Sequence, residues 1–130
     1  MSIITALLVD DNSVFLDCAS RFLQADERIE IVGHAASGIE AMQQVERLRP
    51  DVVVMDVAMQ GMSGLDTARR LKAGPNSPLI VISTMHDHAE MREAATHAKA
   101  DGFVAKSQFC RELLPLIKSL FDQRKLGLSS

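Results

Sequence analysis

Polar side chains able to do chemistry stand at the ends of four apolar runs in this sequence. They are Asp10, Asp11, Asp56, Ser83, Thr84 and Lys106. Apolar runs of this kind are typical of strands in a parallel sheet that is buried on both faces. The carboxyl ends of parallel strands lie at one edge of the sheet, where open α/β sheets bind their ligands. We therefore expect three carboxylates, a hydroxyl and an ammonium to cluster at that edge.

Such a cluster favours phosphoryl chemistry. Carboxylates that lie close together repel one another, so the pKa of one of them rises unless a cation is present. Lys106 supplies one positive charge, and a divalent metal would supply the rest. Oxygen ligands without His or Cys favour Mg²⁺, which accepts phosphate oxygens while keeping several waters. A carboxylate can attack phosphorus to form an aspartyl phosphate, and we expect Asp56 to be this nucleophile.

Signatures of other chemistries are missing from the sequence. Neither a GxxxxGK[ST] loop nor a GxGxxG turn occurs, so nucleotide binding is not indicated. The four histidines, at positions 34, 86, 88 and 97, form no HExxH motif. Cys18 and Cys110 lie outside any metal-binding spacing, and we interpret them as two half-buried thiols, although sequence leaves a disulfide open.

The positions of these residues depend on five strands that alternate with five amphipathic helices. The predicted strands cover 3–9, 30–36, 52–55, 79–84 and 102–106. Ser13 is the predicted cap of the first helix, Pro50 stops the second, and Gly74 ends the third. The last helix, 109–121, contains Pro115, which should kink it or delay its start. The pattern predicts an α/β fold of (βα)5 type, a doubly wound parallel sheet with helices on both faces.

Composition limits the classes of protein to consider. The chain has 130 residues, of which 47% are hydrophobic, and its net charge is −3. These values suit one globular domain and show no basic footprint for nucleic acid. No apolar run approaches the roughly 20 residues of a membrane span, and the N-terminus lacks the pattern of a signal peptide. We expect a cytoplasmic protein that has no membrane partner.

The motifs together resemble the receiver domain of two-component response regulators. They are the Asp10-Asp11 pair, Asp56 in MDVAMQGMSGLD, Thr84 in STMHD and Lys106 in ADGFVAK. Spacings of 45, 28 and 22 residues separate Asp11, Asp56, Thr84 and Lys106 in turn, and they fit the family. The resemblance covers 3–122 and leaves 123–130 as a flexible tail or the start of a linker. It implies the flavodoxin-like strand order 2-1-3-4-5.

The resemblance also implies roles in phosphorylation. Asp56 would accept a phosphoryl group from the phosphohistidine of a sensor histidine kinase. Asp10, Asp11, Asp56 and the backbone carbonyl of Ala58 would hold Mg²⁺, and Lys106 would contact a phosphoryl oxygen. Apart from catalysing its own phosphorylation and dephosphorylation, the domain would not be an enzyme.

The family's conformational switch maps onto two residues. Thr84 would hydrogen-bond the phosphoryl group and move inward, and the aromatic ring of Phe103 would follow from an exposed to a buried position. Ser83 is the less favoured alternative to Thr84, and a plain core role for Phe103 stays open. Ala58 and His86 occupy positions that tune the lifetime of the phosphoryl group.

This sequence departs from the family at Gln60 and Ser107, where many members have proline. The change at Gln60 loosens the loop after the phosphorylation site. Ser107 excludes a cis Lys-Pro bond after Lys106.

STMHD, Lys106-Ser107 and ADGF resemble receivers of the LuxR/NarL type. They suggest the N-terminal part of a DNA-binding transcriptional regulator that could form a homodimer on phosphorylation. DNA would be bound only through an output domain absent from this chain. The alternatives are a stand-alone receiver adaptor, an inert pseudo-receiver and an aspartyl-phosphate phosphohydrolase. Ala58 argues against the hydrolase, which would normally need a second acid at that position.

Overall fold

Five parallel strands form one twisted sheet in the computed structural model, which describes residues 2–59 and 61–127. The strands are β1 (Ile4–Val9), β2 (Ile29–Ala35), β3 (Val52–Met55), β4 (Leu79–Thr84) and β5 (Gly102–Ala105). Their order is β2-β1-β3-β4-β5, and every neighbouring pair is parallel. The predicted α/β class and the flavodoxin-like order 2-1-3-4-5 are confirmed.

Helices connect the strands and cover both faces of the sheet. They are α1 (Ser13–Gln24), α2 (Gly38–Leu48), α3 (Gly64–Ala73), α4 (Ala89–His97) and α5 (Phe109–Lys125). A short 3₁₀ turn, Lys106–Gln108, precedes α5. One core lies between the sheet and the pair α1 and α5, and the other lies under α2, α3 and α4. Because side chains alternate along a strand, each polar residue at a strand end faces one of these two layers.

The first helix is capped by Asn12 and not by Ser13. The side-chain oxygen of Asn12 accepts a hydrogen bond from the backbone N–H of Phe15 at 3.1 Å, and Ser13 is the first helical residue. Asparagine and serine are both strong caps, so composition alone did not separate the two positions. Before Pro50, Arg49 ends α2 in the left-handed conformation (φ 48°).

The last helix begins at Phe109 and continues without interruption past Pro115. Its start is therefore not delayed by the proline. It ends at Lys125, so residues 123–125 of the predicted tail are helical. Residues 128–130 of that tail, and the departure noted at Gln60, lie outside the described residues.

Residues 2–59 and 61–127 contain no disulfide bond and no helix that could span a membrane. Cys18 and Cys110 are free thiols, but both are exposed, so the prediction that they are half-buried is wrong. None of the helices in this part of the chain combines the length and the apolar composition needed to cross a bilayer.

Candidate functional site

The three predicted carboxylates meet at the carboxyl edge of the sheet. One oxygen from each of Asp10, Asp11 and Asp56 lies within 4.8 Å of the others. Asp10 and Asp56 are buried, at 2% and 7% exposure, whereas Asp11 is exposed. They end β1 and β3, which are adjacent strands in the middle of the sheet. Strand pairing thus brings together residues that are 45 positions apart.

Lys106 lies against these carboxylates from the end of β5. Its ammonium Nζ donates to Asp10 Oδ2 at 2.6 Å and lies 3.6 Å from Asp56 Oδ2. The other oxygen of Asp10 accepts the backbone N–H of Asn12 at 2.9 Å. Asp10 therefore uses both oxygens, and it ties Lys106 to the loop that carries Asp11. The Lys106 side chain is only 11% exposed, which strengthens these charge interactions.

The buried position of Asp56 changes its acidity. Desolvation raises the pKa of the Asp56 carboxyl above its usual range, and the negative charge of Asp10 raises it further. The Lys106 ammonium opposes this rise, as do hydrogen bonds from the backbone N–H groups of Ala58 and Val57. Desolvation is the largest of these causes, so the carboxylate carries a charge that its surroundings only partly compensate.

The backbone around Asp56 is held on both sides. Its N–H donates to the carbonyl of Val9 at 3.0 Å, and the N–H of Gly64 donates to the carbonyl of Val57 at 3.1 Å. The start of α3 packs so closely here that a Cβ on Gly64 would lie 2.0 Å from the Asp56 carbonyl oxygen. Glycine at position 64 is thus required by space, and the close approach fixes the loop after Asp56.

Thr84 and Ser83 face opposite sides of the sheet. Thr84 is fully buried on the side of α4, and its Oγ1 accepts the backbone N–H of His86 at 3.1 Å. Ser83 points towards α1 and α5, where it lines a cavity of about 10 Å³ together with Asp10 and Asp56. The Ser83 hydroxyl is buried and has no hydrogen-bond partner within the described chain. Each hydroxyl therefore lies near the site, but in a different layer.

Phe103 is half-buried against the core under α4. The guanidinium carbon of Arg92 lies 4.5 Å from the centroid of its ring, and Arg92 also pairs with Asp87 at 2.7 Å. The Phe103 ring is thus neither fully exposed nor fully buried, which are the two positions that the family switch implies. The contact from Arg92 could not be predicted, because it depends on how α4 packs beside β5.

Phe15 is a second contact that sequence reasoning missed. Its ring centroid lies 4.2 Å from Lys106 Nζ. The sequence indicates this contact only through the position of Phe15, which follows Asp11 by four residues and lies in the first turn of the helix that begins next to the site.

The donor atoms of the acidic cluster suit Mg²⁺. All three are carboxylate oxygens, and two of them are nearly removed from water. Three carboxylates against the single ammonium of Lys106 leave a negative excess that a divalent cation would balance. Ala58 follows in the loop with its N–H directed to Asp56, and the role predicted for its carbonyl stays a prediction.

Curated relatives resemble this chain over only part of their length. A protein-glutamate methylesterase/protein-glutamine glutaminase of Nocardioides sp. is 37% identical over 93% of this chain. A protein of the same name from Geobacillus kaustophilus is 39% identical over 82% of it. The matches cover 37% and 31% of those two proteins, so the chain spans about a third of their length.

A solved structure and a family model are similar to this chain over most of its length. The crystal structure of a LuxR-family two-component response regulator from Aurantimonas sp. SI85-9A1 superposes with a TM-score of 0.88 at 29% identity. The superposition covers 93% of this chain and 86% of that one. The family model of the response regulator receiver domain matches residues 6–118. With its carboxylate cluster at the edge of a 2-1-3-4-5 sheet, the chain belongs to the response regulator receiver domain family.

Proposed function

We propose that this receiver domain is a Mg²⁺-dependent phosphoacceptor in which Asp56 receives a phosphoryl group from the phosphohistidine of a sensor histidine kinase. The observation that carries the proposal is the placement of the buried Asp56 carboxylate beside Lys106 and the Asp10-Asp11 pair. A buried carboxylate whose pKa is raised by desolvation, next to a lysine and two further carboxylates, favours a working site over an inert pseudo-receiver.

The chemistry is an in-line displacement at phosphorus. An Asp56 carboxylate oxygen attacks, a P–O bond forms, the P–N bond breaks, and the imidazole leaves with the bonding electron pair. Backbone hydrogen bonds on both sides of Asp56 hold its oxygen in place for the attack. Lys106 lies 3.6 Å from Asp56, close enough to neutralise charge on the transferred phosphoryl oxygens.

Asp10 has a supporting role in this proposal. It holds the Lys106 ammonium at 2.6 Å while its second oxygen is fixed by the Asn12 N–H. Asp10, Asp11 and Asp56, with the carbonyl of Ala58, are the residues that would hold Mg²⁺. When bound, the ion supplies positive charge to the phosphoryl oxygens and offsets the repulsion among the carboxylates.

Thr84 and Phe103 are the proposed conformational switch. Thr84 Oγ1 accepts a hydrogen bond from His86, so its O–H remains able to donate to a phosphoryl oxygen. Thr84 and Phe103 lie on paired strands, β4 and β5, and both face the layer of α4. Movement of Thr84 towards the phosphoryl group would open space for the half-buried ring of Phe103, so phosphorylation shifts an existing equilibrium.

Two outputs are candidates for the protein to which the receiver belongs. The structural similarity to a LuxR-family regulator favours transcriptional control, with phosphorylation-linked dimerisation and DNA binding by a separate domain. The sequence relatives favour control of a protein-glutamate methylesterase/protein-glutamine glutaminase instead. Sequencing the chromosomal gene beyond the codon for Ser130 separates the two, because a helix-turn-helix or a hydrolase domain would be encoded there. A stop codon would favour the stand-alone adaptor.

The phosphoacceptor proposal is tested by intact-protein mass spectrometry after incubation with acetyl phosphate. We expect the mass of one phosphoryl group, gained only with Mg²⁺, and no gain by Asp56→Asn. Asp66→Asn is a matched control, because Asp66 is an exposed carboxylate in the first turn of α3 that is not a member of the cluster. Full labelling of Asp56→Asn would refute the assignment. Continuous release of phosphate over many cycles would instead favour the phosphohydrolase.

A further inference from the structure

The ammonium of Lys106 is enclosed by two carboxylates and one aromatic ring. Nζ lies 2.6 Å from Asp10 Oδ2, 3.6 Å from Asp56 Oδ2 and 4.2 Å from the ring centroid of Phe15. A cation this close to an aromatic ring is attracted by the negative potential of the ring face, most strongly where water is excluded. The 11% exposure of the Lys106 side chain meets that condition.

The ring of Phe15 is itself held in place. Its backbone N–H is bound by the Asn12 cap at 3.1 Å, and Asn12 in turn donates to Asp10. Its ring packs edge-to-face on Phe109, with centroids 5.3 Å apart and planes inclined at 76°. Phe109 is buried and follows Lys106 by only three residues, across the 3₁₀ turn. The same turn therefore presents the ammonium and fixes the ring that receives it.

We propose that Phe15 is a positioning residue, which holds the Lys106 ammonium over the acidic cluster in the orientation needed for phosphoryl transfer. The inference rests on the proposed function of Asp56. Lysine carries its charge on a flexible four-carbon stem, and Asp10 constrains that charge from one side only. The face of Phe15 closes a second side, so the ammonium stays within reach of Asp56 and of an incoming phosphoryl group.

Phe22 provides a matched control for substitution. It lies on the same helix, two turns further along, is half-buried like Phe15, and packs on the same Phe109 ring at 5.9 Å. Only Phe15 of the two contacts Lys106. Phe15→Leu and Phe22→Leu remove an aromatic ring from the same apolar layer and keep an apolar side chain there. A difference between them isolates the effect on Lys106.

The first measurement is the rate of phosphoryl gain from acetyl phosphate in the presence of Mg²⁺. We expect Phe15→Leu to lower the rate about five- to thirtyfold, the range between a partly exposed and a desolvated cation–aromatic contact. Phe22→Leu and the aromatic replacement Phe15→Tyr should stay near the wild-type rate. In a Lys106→Ala background, Phe15→Leu should cause no further loss, because the ring would have no ammonium to position.

The second measurement is the NMR shift of the Lys106 Hε protons in the unphosphorylated protein. The face of a nearby ring moves these signals upfield, so we expect that displacement in the wild type and in Phe22→Leu but not in Phe15→Leu. Equal rates for Phe15→Leu and wild type, or an equal further loss in the Lys106→Ala background, would overturn the inference. If the wild type itself gains no phosphoryl group, the proposed function fails. The Hε shift then decides whether Phe15 holds the ammonium.

Discussion

Replacing Gly64 with alanine would place a methyl carbon 2.0 Å from the carbonyl oxygen of Asp56 and 2.9 Å from the Cα of Val57. Carbon–oxygen contacts in proteins lie near 3.3 Å at the closest, so α3 or the loop after Asp56 must move by roughly 1 Å. Overpacking of this kind typically costs about 1–3 kcal/mol of folding free energy. A displacement of about 1 Å at a reacting group can lower a rate by as much as 100-fold.

Two assays separate these effects of Gly64→Ala. Urea unfolding followed by far-UV circular dichroism gives the stability, since the chain has no Trp or Tyr for fluorescence. Phosphoryl gain from acetyl phosphate gives the rate. Gly74→Ala is the control, because its Cβ would meet nothing closer than 3.8 Å and its backbone is extended. We expect the control to be neutral or slightly stabilising. Wild-type stability and rate for Gly64→Ala would refute the claim that α3 fixes the Asp56 backbone.

Further predictions concern the polar groups of the site. In the folded, metal-free protein, desolvation raises the pKa of the Asp56 carboxyl above its value in the unfolded chain. The folded state therefore favours the protonated carboxyl, and the stability that this provides is lost as pH rises through the folded pKa. Asp56→Asn should therefore raise the free energy of unfolding at pH 7 in EDTA, and the gain should shrink as pH falls through the folded pKa and be gone below the unfolded pKa of about 4. Urea unfolding at pH 7 and at about pH 3 checks this, and a gain that grows at low pH would contradict it. Ser83→Ala removes a buried hydroxyl that has no hydrogen-bond partner among residues 2–59 and 61–127, so stability should stay unchanged or rise by about 1 kcal/mol, with normal phosphorylation. Thr84→Ala should still be phosphorylated but should lose the NMR shift of Phe103 on phosphorylation, and a retained shift would move the switch role to Ser83.

The sequence predicted the place of a strand in the sheet best where the composition of that strand determined it. Three consecutive valines before Asp56 indicated a buried parallel strand, and that strand lies between β1 and β4 in the sheet. Once strands are placed, the carboxyl edge follows from topology alone. The meeting of Asp10, Asp11 and Asp56 with Lys106 was therefore predictable from the order of the elements.

Contacts that depend on how helices pack were not predictable in the same way. The approach of Phe15 to Lys106 requires the relative rotation of α1 and α5, which the apolar periodicity leaves free. The same holds for Arg92 above Phe103, which requires the position of α4 against β5. The continuation of α5 past Pro115 reflects packing of its buried face against the sheet, which outweighs the cost of one missing hydrogen bond.

In the proposed reaction the phosphoryl group becomes covalently attached to Asp56 itself. The most direct test is borohydride treatment of the acetyl-phosphate-labelled protein, which reduces an acyl phosphate to the alcohol, followed by peptide sequencing by mass spectrometry. Homoserine at position 56, formed only when Mg²⁺ was present during labelling, is the predicted result. Homoserine at position 10 or 11, or label retained entirely on another residue type, would show that Asp56 is not the phosphoacceptor.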